Sequence, residues 1–210
     1  MLELNKISYQ PATAEHLILD SVNLKAKVGQ PVIIAGKSGS GKTSLIEIIS
    51  GLTTHQQGQI LWKNKQITKR QRRWLCGVVF QFPERYFLGL TVGQELRIGH
   101  RKLQGHVQGK ALEKVGLTKV DLQQSPERLS GGQQRRLAVA VQLLRQPIPS
   151  ILLLDEPTAG LDWSSKNEIL QLIDNLSCEQ IIIVVTHEPE MFRSLSKCSY
   201  RLINGNLNSI

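Results

Sequence analysis

Two kinds of hydrophobic pattern divide the chain, and the first predicts a buried sheet. Four short segments are almost continuously apolar, and they are residues 32–35, 77–80, 151–154 and 181–185. A strand of a parallel sheet is covered on both faces, so it reads as such a run of Val, Ile and Leu. Segments with helical spacing lie between or after these runs, at residues 42–50, 132–144 and 164–175. Strands that alternate with helices predict an α/β core with a mainly parallel sheet.

The second pattern predicts a smaller antiparallel β layer. Residues 2–9, 16–25 and 59–67 alternate more between apolar and polar side chains, as strands with one solvated face do. Asn64 and Asn204-Gly205 stand where tight hairpin turns are expected. Helical spacing then dominates from about residue 84 to 145, where several glycines interrupt it. We therefore expect a single domain over residues 1–210, with an inserted helical subdomain at about 84–145.

Composition narrows the class of protein. The 210 residues are 40% hydrophobic and 20% charged, as in an ordinary folded domain. No apolar run approaches the about 20 residues of a membrane-spanning helix, and the first residues do not resemble a secretory signal. The three cysteines, Cys76, Cys178 and Cys198, lack the spacing of a metal site. We therefore expect a cytoplasmic protein with reduced thiols.

The net charge of +9 favours acidic partners such as nucleotides, nucleic acid or acidic lipid. Most of the excess is spread along the chain, and one denser run comprises Lys69, Arg70, Arg72 and Arg73. Charge alone leaves a solvated surface and a binding surface equally open for this run.

Residues 36–43 fit the phosphate-binding loop, in which a glycine is followed after four residues by Gly-Lys-Thr. Glycines let several backbone N–H groups turn toward one phosphate, and the helix that follows presents the positive end of its dipole. Lys42 adds a full charge for the β- and γ-phosphates, and the Thr43 hydroxyl is suited to Mg²⁺. No guanine-reading Asn-Lys-x-Asp motif accompanies the loop, so we expect ATP and Mg²⁺ as cofactors. The predicted phosphate site consists of Gly36, Lys37, Ser38, Gly39, Ser40, Gly41, Lys42 and Thr43.

Further motifs follow in a fixed order and point to one family. They are Gln81 after an apolar run, the segment Leu129-Ser130-Gly131-Gly132-Gln133, Asp155-Glu156-Pro157, Ala159-Gly160-Leu161-Asp162, and His187 after the last apolar run. With these motifs in this order, the chain resembles the nucleotide-binding subunits of ABC transporters over essentially its whole length. The resemblance implies a P-loop NTPase fold and ATP hydrolysis coupled to transport.

Both physical reasoning and the resemblance assign roles to these residues. Asp155 ends a buried strand beside the phosphate loop, so its carboxylate can hold Mg²⁺, and Glu156 is placed to act as general base. The resemblance implies that His187 contacts the γ-phosphate and that Gln81 reaches Mg²⁺ and the attacking water. It also implies that Tyr9 stacks on adenine.

Ser130, Gly131 and Gly132 precede a predicted helix and would form a second anion-binding helix N-terminus. In the family, this signature segment, here Ser130 to Gln133, covers the ATP held by the phosphate loop of another subunit. The resemblance therefore implies a head-to-tail dimer with two ATP molecules between the subunits. The second ATPase subunit can be a copy of this chain or a different one.

The segment Phe80-Gln81-Phe82-Pro83-Glu84 is similar to the ATPases of energy-coupling factor (ECF) importers, which take up vitamins and transition-metal ions. This resemblance implies an integral membrane partner that docks beside the segment. It implies a peripheral position on the cytoplasmic face of the membrane and no nucleic-acid partner. The docking side is expected to include four arginines, which are Arg70, Arg72, Arg73 and Arg85.

A soluble ABC ATPase with a regulatory role is the alternative function. The DNA-repair and chromosome-structuring members carry long coiled coils between Gln81 and the signature segment. Here only residues 82–128 lie between them, and they lack sustained heptads. The transported solute is not encoded in this chain, since the membrane components select it in this family.

Overall fold

The computed structural model describes residues 1–196 and 198–210, which form two β-sheets and flanking helices. The strands in the described residues are β1 (Leu2–Tyr9), β2 (Leu19–Ala26), β3 (Val32–Ala35), β4 (Gln57–Trp62), β5 (Lys65–Gln66), β6 (Cys76–Val79), β7 (Ile151–Asp155), β8 (Ile181–Thr186), β9 (Cys198–Ile203) and β10 (Asn206–Ser209). The α-helices are α1 (Lys42–Ser50), α2 (Lys69–Leu75), α3 (Val92–Arg97), α4 (Gly105–Lys114), α5 (Gly131–Leu143) and α6 (Trp163–Ser177).

The larger sheet has the strand order β10-β9-β3-β8-β7-β6. Its strands from β9 to β6 run parallel, and only β10 is antiparallel to its neighbour. The four runs predicted as buried strands are β3, β8 and β7, which are inner strands, and β6, which is an edge strand. Their bounds lie within one residue of those expected. The predicted α/β fold with a mainly parallel sheet is confirmed.

The strands β3, β6, β7 and β8 of the larger sheet contribute to two hydrophobic cores, because successive side chains point to opposite faces. On one face Ile33, Leu152 and Val184 pack with residues of α5 and α6. On the other face Ile34 and Leu153 pack with α1 and with the smaller sheet. This double coverage explains why the strands lack polar positions.

The smaller sheet is antiparallel, in the order β2-β1-β4-β5. The segment 59–67 forms the expected hairpin at Asn64, since Lys63 and Asn64 both adopt left-handed backbone angles, with φ of 50° and 64°, between β4 and β5. Asn204 and Gly205 turn β9 into β10 in the same way, with φ of 48° and 79°. Two adjacent left-handed residues match the right-handed twist of a hairpin, as predicted for both turns.

Helices α3, α4 and α5 and two 3₁₀ turns, Pro83–Tyr86 and Pro126–Arg128, occupy residues 83–143. Helix α2 was not predicted, because its seven residues are too few and too polar to show a period. It forms because Thr68 caps it, with the Gln71 side chain accepting from the Thr68 N–H in return. Among the described residues, no helix combines the length and apolarity needed to cross a bilayer.

The four arginines expected on one docking side are separated in the structure. Arg70 and Arg73 lie on α2, at the amino end of β6, whereas Arg85 follows the carboxyl end of that strand. Arg72 is only 3% exposed. The expectation is therefore wrong for Arg72, because its side chain is buried, and it stays a prediction for Arg70, Arg73 and Arg85.

Candidate functional site

The loop between β3 and α1 depends on glycine at three positions. Gly39 and Gly41 have φ of 79° and 98°, which side chains disfavour. A Cβ on Gly41 would lie 2.7 Å from Cγ2 of Ile18, and one on Gly36 would lie 3.1 Å from the Leu202 carbonyl oxygen. The loop therefore follows a path close to two neighbouring segments, and its residues 36–40 line one concavity.

Lys42 contributes a buried positive charge to this loop. Its ammonium is 7% exposed and donates to the carbonyl oxygens of Gly36 at 2.8 Å and Lys37 at 3.1 Å. The buried Ser40 Oγ has no hydrogen-bond partner among the described residues. A buried hydroxyl without a partner beside a fixed positive charge suits a phosphate group, whose oxygens accept hydrogen bonds.

Asp155 and Thr43 bring two hard oxygen atoms together at the same edge. The Thr43 hydroxyl donates to Asp155 Oδ2 at 2.9 Å. Burial raises the pKa of Asp155, and the hydrogen bond from Thr43 opposes that rise. Hydroxyl and carboxylate oxygens are the ligands that Mg²⁺ prefers, so this pair fits the ion.

Glu156 sits between a positive charge and an imidazole. Its Oε2 accepts from the His187 backbone N–H at 3.1 Å and lies 2.8 Å from His187 Nδ1, while its Oε1 is 3.6 Å from Lys42 Nζ. The register of β7 and β8, which pairs Asp155 with Val185, brings these residues to one edge. Glu156 also has a left-handed backbone with φ of 47°, which is uncommon for a residue with a side chain.

A cleft opens beside the phosphate loop. Its other walls are residues 14–18, His187, Pro189 and the hairpin at 201–205. Of these walls, His187 was predicted as a site residue. The hairpin at 201–205 was missed, because it reaches the loop only through the pairing of β9 with β3. Tyr9 does not line the cleft itself. Its carbonyl oxygen accepts a hydrogen bond from the N–H of Ile18, and Ile18 lines the cleft.

The signature segment lies outside this cleft. Ser130 is exposed and caps α5, accepting from the Gln133 N–H at 3.3 Å, while Gln133 Oε1 accepts from the Ser130 N–H at 2.9 Å. Gly131 and Gly132 allow α5 to approach residues 159–165, since a Cβ on Gly132 would lie 2.9 Å from Ser165 Cβ. The four predicted residues therefore form an open helix N-terminus that does not face the phosphate loop of its own chain.

Gln81 and Arg135 connect these two regions. Gln81 follows β6, and its carbonyl oxygen accepts from Arg135 Nη2 at 3.3 Å. Arg135 is 6% exposed, although an arginine next to a second arginine suggests a solvated helix face. The sequence analysis predicted site roles for Gln81 and for the signature segment, and it assigned no role to Arg135.

A buried lysine on a phosphate loop, a Thr–Asp pair and a glutamate that directly follows this aspartate at the end of β7 define a P-loop ATPase. A family profile described as ABC transporter matches residues 19–159, which is more than half of the chain. The chain therefore belongs to the ABC transporter family, as an ATP-binding and ATP-hydrolysing subunit.

Two curated relatives and one solved structure illustrate the similarity. ABC transporter I family member 11, chloroplastic, of Arabidopsis thaliana is 34% identical over 97% of this chain and 78% of the relative. The energy-coupling factor transporter ATP-binding protein EcfA2 of Latilactobacillus sakei is 35% identical over 95% of this chain and 74% of the relative. The structure of cbiO1 from Clostridium perfringens, described as part of the ABC transporter complex cbiONQ, superposes with a TM-score of 0.87 at 27% identity, covering 98% and 86% of the two chains.

Proposed function

We propose that ATP hydrolysis by this chain powers an ECF-type membrane importer of a vitamin or a metal ion. The observation that carries the catalytic part is the Glu156 carboxylate, held between His187 and Lys42 one residue beyond Asp155. The similarity to EcfA2 and cbiO1 supports the importer type. ATP-driven import by this chain would need a bound nucleotide, a metal ion, a second ATPase subunit and a membrane partner.

The phosphate loop and the strand ends would bind Mg²⁺–ATP. Lys42, the free hydroxyl of Ser40 and the loop N–H groups would hold the phosphates, while Thr43 and Asp155 would hold Mg²⁺. When bound, Mg²⁺ neutralises charge that develops on the phosphate oxygens. Gln81 would contact the ion and the attacking water. Tyr9, behind Ile18 at the cleft wall, would stack on adenine.

Glu156 would take a proton from the attacking water. A general base must be within hydrogen-bond reach of that proton, and it must be ionised. The Lys42 ammonium lies 3.6 Å from Oε1 of this carboxylate, and both side chains are buried. His187 holds the carboxylate through two contacts and would contact the γ-phosphate.

A second ATPase subunit would complete each site. Ser130 is exposed and the signature segment lies outside the cleft of its own chain, which supports its use by a partner. Ser130, Gly131, Gly132 and Gln133 of one subunit would then cover the ATP bound to the other. ATP binds the closed pair more tightly than the open one, so ATP favours closure and hydrolysis reverses it. The second subunit can be a copy or a related chain.

An exposed apolar segment supports docking of a membrane component. Phe82, Tyr86, Leu88 and Leu90 are between 39% and 80% exposed, and they follow Gln81 closely. Arg85 lies over the Phe82 ring at 4.6 Å. Large exposed apolar side chains in one segment are typical of a protein interface. The chain would thus be a peripheral protein on the cytoplasmic face of the membrane, with no role for nucleic acid.

Purification of the tagged chain from gently solubilised membranes tests the transport function. We expect a multi-span membrane protein and an ATPase subunit to co-purify. The matched variant Leu88→Glu/Leu90→Glu should lose the membrane protein and keep the ATPase subunit, because it alters only the docking segment. Recovery of the unaltered chain from the soluble fraction alone, without membrane proteins, would favour the regulatory alternative.

A further inference from the structure

Arg135 lies one turn into α5, immediately behind the signature segment. It is 6% exposed, and it forms no ion pair with a carboxylate among the described residues. Its stem borders a small apolar cavity together with Val79, Val139 and Pro157. A buried guanidinium without an acidic partner is costly, so its presence requires an explanation.

The guanidinium donates to carbonyl oxygens of three separate segments. Nη2 donates to Ala159 at 2.6 Å and to Gln81 at 3.3 Å, while Nη1 donates to Gly131 at 3.2 Å. Gly131 belongs to the signature segment, and Ala159 belongs to the loop that follows Glu156. One planar, rigid group therefore joins three parts of the site that are far apart in sequence.

We propose that Arg135 is a positioning residue for ATP hydrolysis that sets the relative position of Gln81, the signature segment and the loop after Glu156. The link reaches the general base through the backbone, because the Ala159 N–H donates to the Glu156 carbonyl oxygen at 3.1 Å. It also reaches the docking segment, which begins one residue after Gln81. A displacement of that segment would move Ala159 and Gly131 through the same side chain.

A purely structural role fits the surroundings of Arg135 poorly. Its Nε is buried and has no hydrogen-bond partner among the described residues. Burial lowers the pKa of Arg135, and the more distant Glu84 opposes that effect. An unbranched apolar side chain would fill the same space without either cost and would remove only the hydrogen bonds to Gly131, Gln81 and Ala159, so the arginine contributes the link between these segments. The inference rests on the proposed site, since Arg135 acts through the residues placed there.

Replacement of each of two adjacent arginines separates positioning from stability. Arg136 is the matched control, because it lies on the same helix, pairs with Glu168 at 2.8 Å and donates to Gly116 at 3.1 Å, away from the cleft. We expect Arg135→Met to lower kcat for ATP about 10- to 100-fold, with KM changed less than about threefold, as for a misplaced catalytic group. We expect Arg136→Met to keep kcat and to lower the thermal midpoint.

Arg135→Lys gives a second measurement. The ammonium donates fewer, differently directed hydrogen bonds, so kcat should fall about 3- to 10-fold and lie between the Met variant and the unaltered chain. This variant decides the question if Arg135→Met fails to fold. A kcat within twofold of the unaltered chain in the folded Met variant, or in the Lys variant alone, overturns the proposal.

Glu156→Gln in the same assay distinguishes the two proposals. If Glu156→Gln retains turnover, the general-base assignment fails. If Glu156→Gln abolishes turnover and Arg135→Met keeps it, only the positioning role of Arg135 fails.

Discussion

At the scale of single residues, the site concentrates buried charge. Lys42, Asp155 and Glu156 are each less than one-tenth exposed and lie at one edge of the larger sheet. Each of these groups loses hydration on folding, and its interactions with neighbouring groups offset only part of that desolvation free energy. The site therefore lowers the stability of the nucleotide-free chain in exchange for binding a charged ligand.

Asp155→Asn should stabilise the nucleotide-free chain at neutral pH. Folding raises the pKa of Asp155, so the ionised carboxylate counts against the folded state as pH rises above the ordinary range of an aspartate. The amide keeps an acceptor for the Thr43 hydroxyl and carries no charge. We expect a thermal midpoint about 2–4 °C higher at pH 7, which corresponds to about 1 kcal/mol for a chain of this size.

Thermal unfolding at two pH values, with and without Mg²⁺–ATP, measures this effect. The difference between Asp155→Asn and the unaltered chain should vanish below the titration range of an aspartate, where both side chains are neutral. Mg²⁺–ATP should stabilise the unaltered chain and not the variant. A lower midpoint for the nucleotide-free variant at pH 7 would contradict the argument.

At the scale of elements, the contact between α5 and α6 determines where the signature segment lies. Gly132 is buried in α5 and faces Ser165 of α6, and Gly131 faces Leu161. Asp162 caps α6 by accepting from the Ser165 N–H at 3.0 Å, so the contact surface is itself fixed. The second glycine of the signature thus serves helix packing as well as the proposed anion binding.

Two glycine-to-alanine substitutions in helices test this contact. A Cβ on Gly132 would be 2.9 Å from Ser165 Cβ, whereas one on Gly109 in α4 would meet nothing within 4 Å. Gly109→Ala should raise the free energy of unfolding by about 0.5–1 kcal/mol, because alanine favours the helix. Gly132→Ala should lower it by about 1–3 kcal/mol, as overpacking does. Urea denaturation measures both, and equal stabilisation by the two variants would refute the packing argument.

Local signals in the sequence were enough to predict some helices and strands and not others. The central strands were predicted within one residue, because burial on both faces leaves an unbroken apolar run. Helix α2 escaped detection because capping by Thr68, and not hydrophobic spacing, determines it. The burial of Arg135 and the left-handed backbone of Glu156 depend on partners distant in sequence, so no local pattern indicates them.

At the scale of the whole molecule, the two proposed halves of the ATP site lie apart within one chain. The phosphate loop opens into the cleft, and the signature segment presents an exposed helix N-terminus elsewhere. Trp163, 68% exposed at the start of α6, lies next to the residues that pack on the signature. An aromatic side chain of this size beside an open site is suited to a protein interface.

ATP-dependent pairing should require Ser130. In a Glu156→Gln background, which binds ATP without hydrolysing it, saturating ATP should convert monomer to dimer in light-scattering measurements. Adding Ser130→Arg should prevent this, because an arginine side chain fills the space above the signature N-terminus. Asn208→Arg, an equal charge change at an exposed position on β10, should leave pairing unaltered. Dimers that form with ATP despite Ser130→Arg would exclude the proposed arrangement.

The left-handed backbone of Glu156 has a consequence for inheritance. Glycine is the residue that adopts this conformation most easily, and one base change converts a glutamate codon to a glycine codon. The resulting chain would lose the proposed general base and its contact with Lys42 while its backbone became less strained, and we expect it to fold. It would still join complexes with intact subunits and halt them. In cells that make both the altered and the unaltered chain, this mutation should therefore be dominant. Mutations that unfold the core should be recessive.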